Sequence, residues 1–129
     1  HAGLFSTSTE IGTIMQMLLN RGYYGGKRYI NEETVDLCTT RHSYSTRRGV
    51  GFDMKELDSE KALNMSELAS EKAFGHLGFT GCAAFADPEH NLIYVMLSNR
   101  TYPSMKNDKF SRNNYRPKVQ SIIYRSLMN

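Results

Sequence analysis

Apolar residues recur at helical spacing near the start of the chain. The stripe comprises Ile11, Ile14, Met15, Leu18 and Leu19, and it predicts an amphipathic helix with one face on the core. Thr7 and Glu10 have the spacing of a capping box, in which each side chain bonds the other's backbone N–H, so the helix should begin after Thr7. Gly22 should end it.

Two further helices are indicated by their first turns. Asn31 has the side chain of an N-cap, and the two glutamates after it favour the positive end of a helix dipole. Pro117 fits the first turn of a last helix that begins at Tyr115, because its missing N–H would have no partner there. The residues expected to face inward from that helix are Val119, Ile122, Ile123 and Leu127.

Short apolar runs between turn residues predict strands. Residues 49–54, 74–86 and 92–98 fit this pattern, and the Asp-Pro turn at 87–91 makes the last two a hairpin. Because 92–98 is apolar on both faces, we expect it to be central or covered on both sides. The order of elements favours an α+β fold, an antiparallel sheet with helices packed on one side.

Two polar stretches interrupt this pattern. Residues 55–73 are polar and mostly acidic, with weak helical character around 63–68, and we interpret them as a lid or a plain solvated insertion. Residues 99–114 form a long basic loop. A nucleic-acid surface and a solvated loop are both compatible with it, but no stacking motif accompanies the charge, so we expect no nucleic-acid partner.

Composition narrows the classes further. The chain has 129 residues, 40% of them apolar, and a net charge of +3, which fits one globular domain and permits anionic ligands. No apolar run is long enough to cross a membrane. Cys38 and Cys82 are either two thiols or one disulfide, and no set of residues has metal-ligand spacing. We predict no metal and no cofactor.

Residues 74–81 carry the most distinctive local pattern. Gly75, Gly78 and Gly81 interrupt what the pattern predicts to be one strand, and glycine in a strand marks a bulge or the close approach of a ligand. His76, whose charge changes near neutral pH, lies among them. The stretch is typical of an active-site edge strand. The alternative is a histidine satisfied by neighbouring backbone.

Five segments in order resemble one family, the serine β-lactamase-like and penicillin-binding-protein-like hydrolases, with class C β-lactamase, esterase and D-aminopeptidase-type relatives. They are residues 1–7 with Glu10 (like Ala-Gly-Gly-Leu-x-Ser-Thr), 49–54 (like Gly-Leu-Gly-Trp), 74–81 (like the Lys-Thr-Gly or His-x-Gly motif), 87–89 (a hairpin turn) and 97–103 (like Leu-x-Asn-x-x-Tyr-Pro). The resemblance implies that residues 1–129 are the C-terminal part of a β-lactamase/transpeptidase-like domain.

The resemblance also implies roles for individual residues. His76 matches the third-motif lysine or histidine, which handles protons or a substrate anion, and the N–H of Phe79 matches the second oxyanion-hole donor. Gly78 and Thr80 are expected to bind substrate, Gly78 because it lets the substrate backbone lie against the strand. Arg116 matches, less closely, an arginine that binds a substrate carboxylate.

The chain departs from the family in two ways. No serine is followed by lysine three positions on, so the Ser-x-x-Lys nucleophile of the family is expected in a segment before this chain. Leu77 replaces the usual hydroxyl residue of the third motif, which favours an esterase or peptidase-type relative over penicillin recognition.

These inferences give one leading hypothesis and one alternative. The chain is expected to be a C-terminal segment of a serine hydrolase that cleaves an amide, ester or β-lactam, inactive alone, with a small-molecule or peptidoglycan-type substrate and a periplasmic or cell-envelope location. The alternative is a non-catalytic cell-wall or protein-binding module. Surfaces left open by truncation predict a homo-oligomer.

Overall fold

A four-stranded antiparallel sheet lies at the centre of the computed structural model, which describes residues 3–128. His1 and Ala2, part of the first family-like segment, lie outside the described residues. The strands are β3 (Asp53–Met54), β4 (Phe74–Leu77), β5 (Ala83–Asp87) and β6 (Leu92–Met96), in that spatial order. A small hairpin of β1 (Tyr23–Tyr24) and β2 (Lys27–Arg28) stands apart from it.

Four helices accompany the sheet in the described part of the chain: α1 (Ser8–Leu19), α2 (Glu32–Thr39), α3 (Lys109–Arg112) and α4 (Tyr115–Leu127). The capping box of α1 is confirmed, since the Glu10 N–H donates to Thr7 Oγ1 at 3.3 Å and the Thr7 N–H to Glu10 Oε2 at 2.9 Å. Asn31 precedes α2 as predicted, but its side chain makes no capping hydrogen bond. No helix within residues 3–128 is long and apolar enough to cross a membrane.

The prediction of one strand over 74–86 is wrong. The segment is a hairpin, in which β4 and β5 are joined by residues 78–82. The Gly78 N–H donates to the Cys82 carbonyl at 2.7 Å, and Gly81 has a φ of +101°, a conformation in which other residues are strained. These are the features of a three-residue hairpin loop with glycine in the left-handed position. The glycines therefore mark a turn.

The first family-like strand is also shorter than predicted. Of residues 49–54, only β3 is strand, and the residues before it form a tight turn closed by a 2.8 Å bond from the Gly49 N–H to the Phe52 carbonyl. This turn brings Arg48 opposite Asp53. The segment that leads into β3 is therefore a turn and not part of the strand.

Helices cover both faces of the sheet, which corrects the prediction of a single helical side. On one face Phe74 and Ala86 pack with Met15, Leu18 and Val35 of α1 and α2. On the other face, the core cluster contains Ala83, Phe85 and Tyr94 of the sheet with Tyr124 of α4. Alternate residues of β5 thus enter two different cores, because successive side chains of a strand point to opposite faces. The sequence predicts that residues 92–98 form a strand that is either central or covered on both faces. The second alternative is correct, because β6 lies at the end of the described sheet.

The predicted inward face of α4 is also wrong in register. Gln120 and Tyr124 are buried, whereas Val119, Ile122 and Leu127 are exposed, and Ile123 alone of the predicted set packs on the core. The polar groups of the buried pair find partners: Gln120 Oε1 accepts from the Ser66 N–H at 2.8 Å, and the Tyr124 hydroxyl donates to Asp87. Satisfied polar side chains can therefore turn inward.

The prediction of a solvated insertion over residues 55–73 holds for only part of the segment. Met65, Ala69 and Ala73 are buried in the core beneath Tyr124, and the helix predicted around 63–68 is absent from this described segment. Ser66 contacts α4 directly, since its N–H donates to Gln120 Oε1 at 2.8 Å and its Oγ lies 2.7 Å from Ser121 Oγ. Residues 57–62 remain at the surface, as predicted.

Candidate active site

His76 lies on β4 with its side chain exposed. Its Nδ1 is 2.9 Å from the Leu77 carbonyl oxygen. Because a carbonyl only accepts, this contact places the proton of the neutral ring on Nδ1 and leaves Nε2 as the acceptor. One ring nitrogen is thus satisfied by backbone, as the alternative interpretation expected, and the other remains available to a substrate.

A small cavity opens beside His76. It measures about 200 Å³ and is lined by His76, Arg48, Gly49, Gly51, Phe52 and Asp53. Arg48 Nη1 donates to the buried Asp53 carboxylate at 2.5 Å, and Arg47 Nε donates to the same group at 3.3 Å. Asp53 therefore holds two guanidinium groups at the edge of the sheet, next to the histidine.

The loop that follows His76 presents two open backbone donors. Phe79 and Thr80 are exposed at its tip, and neither N–H donates a hydrogen bond to any of residues 3–128. The neighbouring donors are used: the Gly78 N–H bonds Cys82, and the Gly81 N–H bonds the Gly78 carbonyl at 3.1 Å. The loop thus places the N–H groups of Phe79 and Thr80 where an anion can reach them.

The carbonyl groups of the same loop are held by the segment that follows β6. Arg100 Nε donates to the Phe79 carbonyl at 2.7 Å, and its guanidinium lies 4.7 Å from the centre of the Phe79 ring. The Arg100 N–H donates to the Thr80 carbonyl at 2.8 Å, and Ser98 Oγ donates to it at 3.3 Å. These hydrogen bonds hold the loop through its carbonyl groups, on the side opposite its open N–H groups.

Arg116, in the first turn of α4, completes this support. Its Nη1 donates to the carbonyls of Gly78, at 3.2 Å, and Cys82, at 3.3 Å, and its guanidinium lies near the ring of Phe110. Burial and the nearby Arg100 lower the pKa of Arg116, which remains a cation at neutral pH. The described contacts direct Arg116 at the loop; its contact with a substrate carboxylate stays a prediction.

The sequence that forms this histidine and the adjacent loop matches a known protein family. The sequence model described as Beta-lactamase matches residues 1–114. The chain belongs to the β-lactamase family. The predictions of family and α+β fold are therefore confirmed, and the candidate site lies inside the matched range except for Arg116.

Curated relatives of this β-lactamase-family chain are named "Putative D-alanyl-D-alanine carboxypeptidase". One from Escherichia coli (strain K12) is 36% identical over 102 residues, which are 79% of this chain and 23% of that protein. Another, from Salmonella agona (strain SL483), is 33% identical over 113 residues, 88% of this chain and 26% of that protein. The chain spans about a quarter of the length of these relatives.

Several residues of this β-lactamase-family site were not predicted from the sequence. Arg48 lies outside the family-like segments, and Ser98 and Arg100 occupy unspecified positions of the segment 97–103, so no motif assigned them a role. Arg100 supports the loop through Phe79, so part of the charge that suggested a nucleic-acid surface has an internal role. Within residues 3–128, no group of three histidine, cysteine, aspartate or glutamate side chains is arranged to hold a metal ion.

The two cysteines are not bonded to each other. Cys38 and Cys82 are free thiols, so the disulfide alternative is wrong. Cys82 Sγ accepts a 3.5 Å contact from the Ser98 N–H, which adds to the support of the hairpin loop. Cys82 is therefore a packing residue of the loop.

A larger cleft of about 680 Å³ lies at the other end of the sheet from the hairpin loop. Its floor contains Leu18, Val35, Met54 and Phe74, and charged side chains of both signs surround it. The residues predicted to be catalytic or substrate-binding do not line it. The residues that the family motifs predict to be functional therefore lie away from this cleft, at the loop end of β4.

Proposed function

We propose that this chain forms one wall of the acyl-transfer site of a serine hydrolase of the β-lactamase family. The observation that carries the proposal is the open N–H of Phe79 at the tip of a loop in which the carbonyls of Gly78, Phe79 and Thr80 all accept hydrogen bonds. A backbone donor fixed in advance stabilises the oxyanion of a tetrahedral intermediate without reorganising during the reaction. Phe79 would supply one such donor, and the residue that carries the nucleophile would supply the other.

His76 is proposed to handle protons or an anionic group of the substrate. Its free Nε2 follows from the bond between Nδ1 and the Leu77 carbonyl, and its exposed position on β4 places it beside the loop. A histidine side chain can act as a general acid or a general base in catalysis. The cavity shared with Arg48 gives room for a substrate group there.

Substrate contact is proposed for Gly78 and Thr80, which flank Phe79. A carboxypeptidase removes a residue whose carboxylate is free, and the relatives' name points to a peptide that ends in D-alanine. We therefore propose a peptidoglycan-type peptide as the substrate of the whole protein, in the periplasm or cell envelope. Leu77, with no hydroxyl, favours a peptide or ester over a penicillin.

The nucleophile is proposed to come from outside these residues. No Ser-x-x-Lys occurs in the 129-residue sequence, and the curated relatives are about four times longer than the region they share with it. The 129-residue chain alone is accordingly expected to be inactive. Reading the gene upstream of His1 for Ser-x-x-Lys followed by Tyr-x-Asn tests this part directly.

The decisive experiment measures hydrolysis by the protein expressed from the complete gene. D-alanine release from a peptide ending in D-Ala-D-Ala and turnover of a p-nitrophenyl ester are both expected, with none from the 129-residue chain. His76→Gln should lower kcat by about 10²–10⁴-fold. His42→Gln removes an exposed histidine outside the hairpin and should leave kcat unchanged. Robust, serine-reagent-sensitive turnover by the 129-residue chain would refute the proposal that the nucleophile lies outside these residues.

The second candidate is a non-catalytic binding module on the same fold. It is favoured by the absence of Ser-x-x-Lys from the 129-residue sequence. A complete gene without the nucleophile motif, together with binding of its product to isolated peptidoglycan, would favour this function. Ester turnover that depends on His76 would exclude it.

A further inference from the structure

The peptide bond between Gly78 and Phe79 is polarised from one side. Its carbonyl oxygen accepts from the Arg116 cation at 3.2 Å and from the Gly81 N–H at 3.1 Å. Its N–H is the open donor of Phe79. The two ends of this peptide are thus unequal: the carbonyl has two partners, one of them charged, and the N–H has none among the described residues.

A charge on the carbonyl side changes what the N–H can do. Hydrogen bonds in a chain polarise one another, so a donor whose own carbonyl is bonded to a cation is a stronger donor. Hydrogen bonds that involve a charged group are also shorter and stronger than neutral ones. An Nη1 bound to both Gly78 and Cys82 therefore sets the direction of the Phe79 N–H as well as its strength.

The next peptide repeats the arrangement. The Phe79 carbonyl accepts from Arg100 Nε at 2.7 Å, and the N–H of that peptide belongs to Thr80, which is open as well. The two guanidinium groups are close enough that Arg100 contributes to the lowered pKa of Arg116. Two like charges behind one loop are costly unless something in front compensates them, and an anion at the two N–H groups would do so.

We propose that Arg116 is a positioning residue, which orients and polarises the Gly78–Phe79 peptide so that the Phe79 N–H becomes an anion donor. Arg100 does the same for the Phe79–Thr80 peptide and makes the Thr80 N–H a second donor. This inference rests on the proposed function for its catalytic meaning. It differs from direct contact between Arg116 and a substrate carboxylate, because Arg116 acts here through the peptide that it bonds.

Amide hydrogen exchange in the 129-residue chain tests the inference without any enzymatic activity. Base-catalysed exchange removes the amide proton and leaves a negative peptide, so a cation on the carbonyl side accelerates it. Arg116→Gln should slow exchange of the Phe79 N–H by about tenfold, while Arg116→Lys, which keeps the charge, should slow it less. Lys118→Gln removes an exposed cation two residues along α4 and should have no effect.

The sign of the change separates the two roles that Arg116 can have. If Arg116 only held the loop together, its loss would loosen the loop, and exchange at Phe79 would be unchanged or faster, which would overturn the inference. The backbone spectrum of each variant shows whether the fold is kept. Should Arg116→Gln not fold, the comparison of Arg116→Lys and Lys118→Gln with the parent chain decides the question.

Kinetics of the complete protein test the catalytic meaning. Arg116→Gln should lower kcat by about tenfold, with little change in KM and equally for an ester without a carboxylate and a D-Ala-D-Ala peptide. A rise in KM confined to the peptide would instead assign Arg116 to the substrate carboxylate and overturn the positioning role. An inactive parent protein would refute the proposed function, and the exchange result would still decide the inference about Arg116.

Discussion

The Tyr124 hydroxyl donates a 2.6 Å hydrogen bond to the Asp87 carboxylate, across 37 residues of sequence. Asp87 is 2% exposed and also accepts from the Ser70 N–H at 2.8 Å, from Ser70 Oγ at 2.6 Å and from His90 Nδ1 at 3.0 Å. One buried carboxylate therefore joins the last helix, the 55–73 segment and the Asp-Pro hairpin at the end of the sheet opposite the candidate site.

Removal of the Tyr124 hydroxyl should destabilise the fold. Tyr124→Phe keeps the ring in its core position and deletes one bond to a charged acceptor, which typically contributes about 1.5–3 kcal/mol. Urea unfolding of this variant and of Tyr102→Phe measures the loss. Tyr102 is exposed, so its hydroxyl should contribute almost nothing. Equal midpoints for the two variants would show that the Asp87 bond does not stabilise the fold.

The same carboxylate predicts a loss of stability in acid. Burial raises the pKa of Asp87, but the hydrogen bonds from Ser70, Tyr124 and His90 outweigh it and hold the pKa below the ordinary 3.8. The folded state thus binds this proton less tightly than the unfolded state, and the stabilisation is complete above the ordinary pKa and lost as pH falls through the lowered one. The free energy of unfolding, measured from pH 7 to pH 2, should fall below about pH 4. Tyr124→Phe should show a smaller fall, and identical profiles would contradict this account.

Gly75 should tolerate no side chain. A Cβ there would lie 2.1 Å from the Ala84 carbonyl oxygen and 2.3 Å from Phe85 Cδ1, so Gly75→Ala should cost about 1–3 kcal/mol of unfolding free energy. Gly12→Ala is the matched control, because nothing lies within 4 Å of a Cβ in the middle of α1. That change should stabilise the protein by up to about 1 kcal/mol. Thermal unfolding compares them, and an unchanged Gly75→Ala would refute the close packing.

Met65 should behave as a core residue despite its polar neighbours. It is 1% exposed, and Met65→Ala should cost about 2–5 kcal/mol through lost burial and a residual cavity. Leu57→Ala, in the surface half of the same 55–73 segment, should cost about 0.5 kcal/mol or less. Chemical denaturation distinguishes them. If both variants lost similarly little unfolding free energy, the whole 55–73 segment would be the solvated insertion predicted from the sequence.

An open strand edge and an exposed apolar patch favour self-association of the chain. β6 has no strand beyond it in the described sheet, and Val119 and Ile122 form an exposed apolar patch on α4. Light scattering should show a mass that rises with concentration, and Ile122→Glu should reduce the rise. Leu37→Glu, which places the same charge on exposed α2, is the control. A strictly monomeric profile at high concentration would contradict the prediction.

The parts of the fold that depend on local spacing could be predicted from the sequence. The capping box of Thr7 and Glu10 and the apolar stripe of α1 are decided within one or two turns of helix. The hairpin at 78–82 was missed because glycine weakens a strand and also makes a turn, and only the bond between Gly78 and Cys82 shows which applies.

The inward face of α4 could not be predicted for a different reason. Hydrophobicity alone favours Val119 and Ile122, whereas Gln120 and Tyr124 are inside because Ser66 and Asp87 supply their partners. Such partners lie tens of residues away and leave no local pattern. The same holds for the bonds of Arg116 to the loop carbonyls, which the resemblance to a carboxylate-binding arginine did not predict.

The support of the hairpin loop has a consequence for biosynthesis. The bonds from Arg116 to the loop carbonyls cross 38 and 34 residues, so both strands of the hairpin are synthesised before their support. A ribosome that adds about 5–20 residues per second needs a few seconds for this interval. The nascent chain therefore carries this loop without its Arg116 bonds until α4 emerges, and until then only Ser98 and Arg100 can support it.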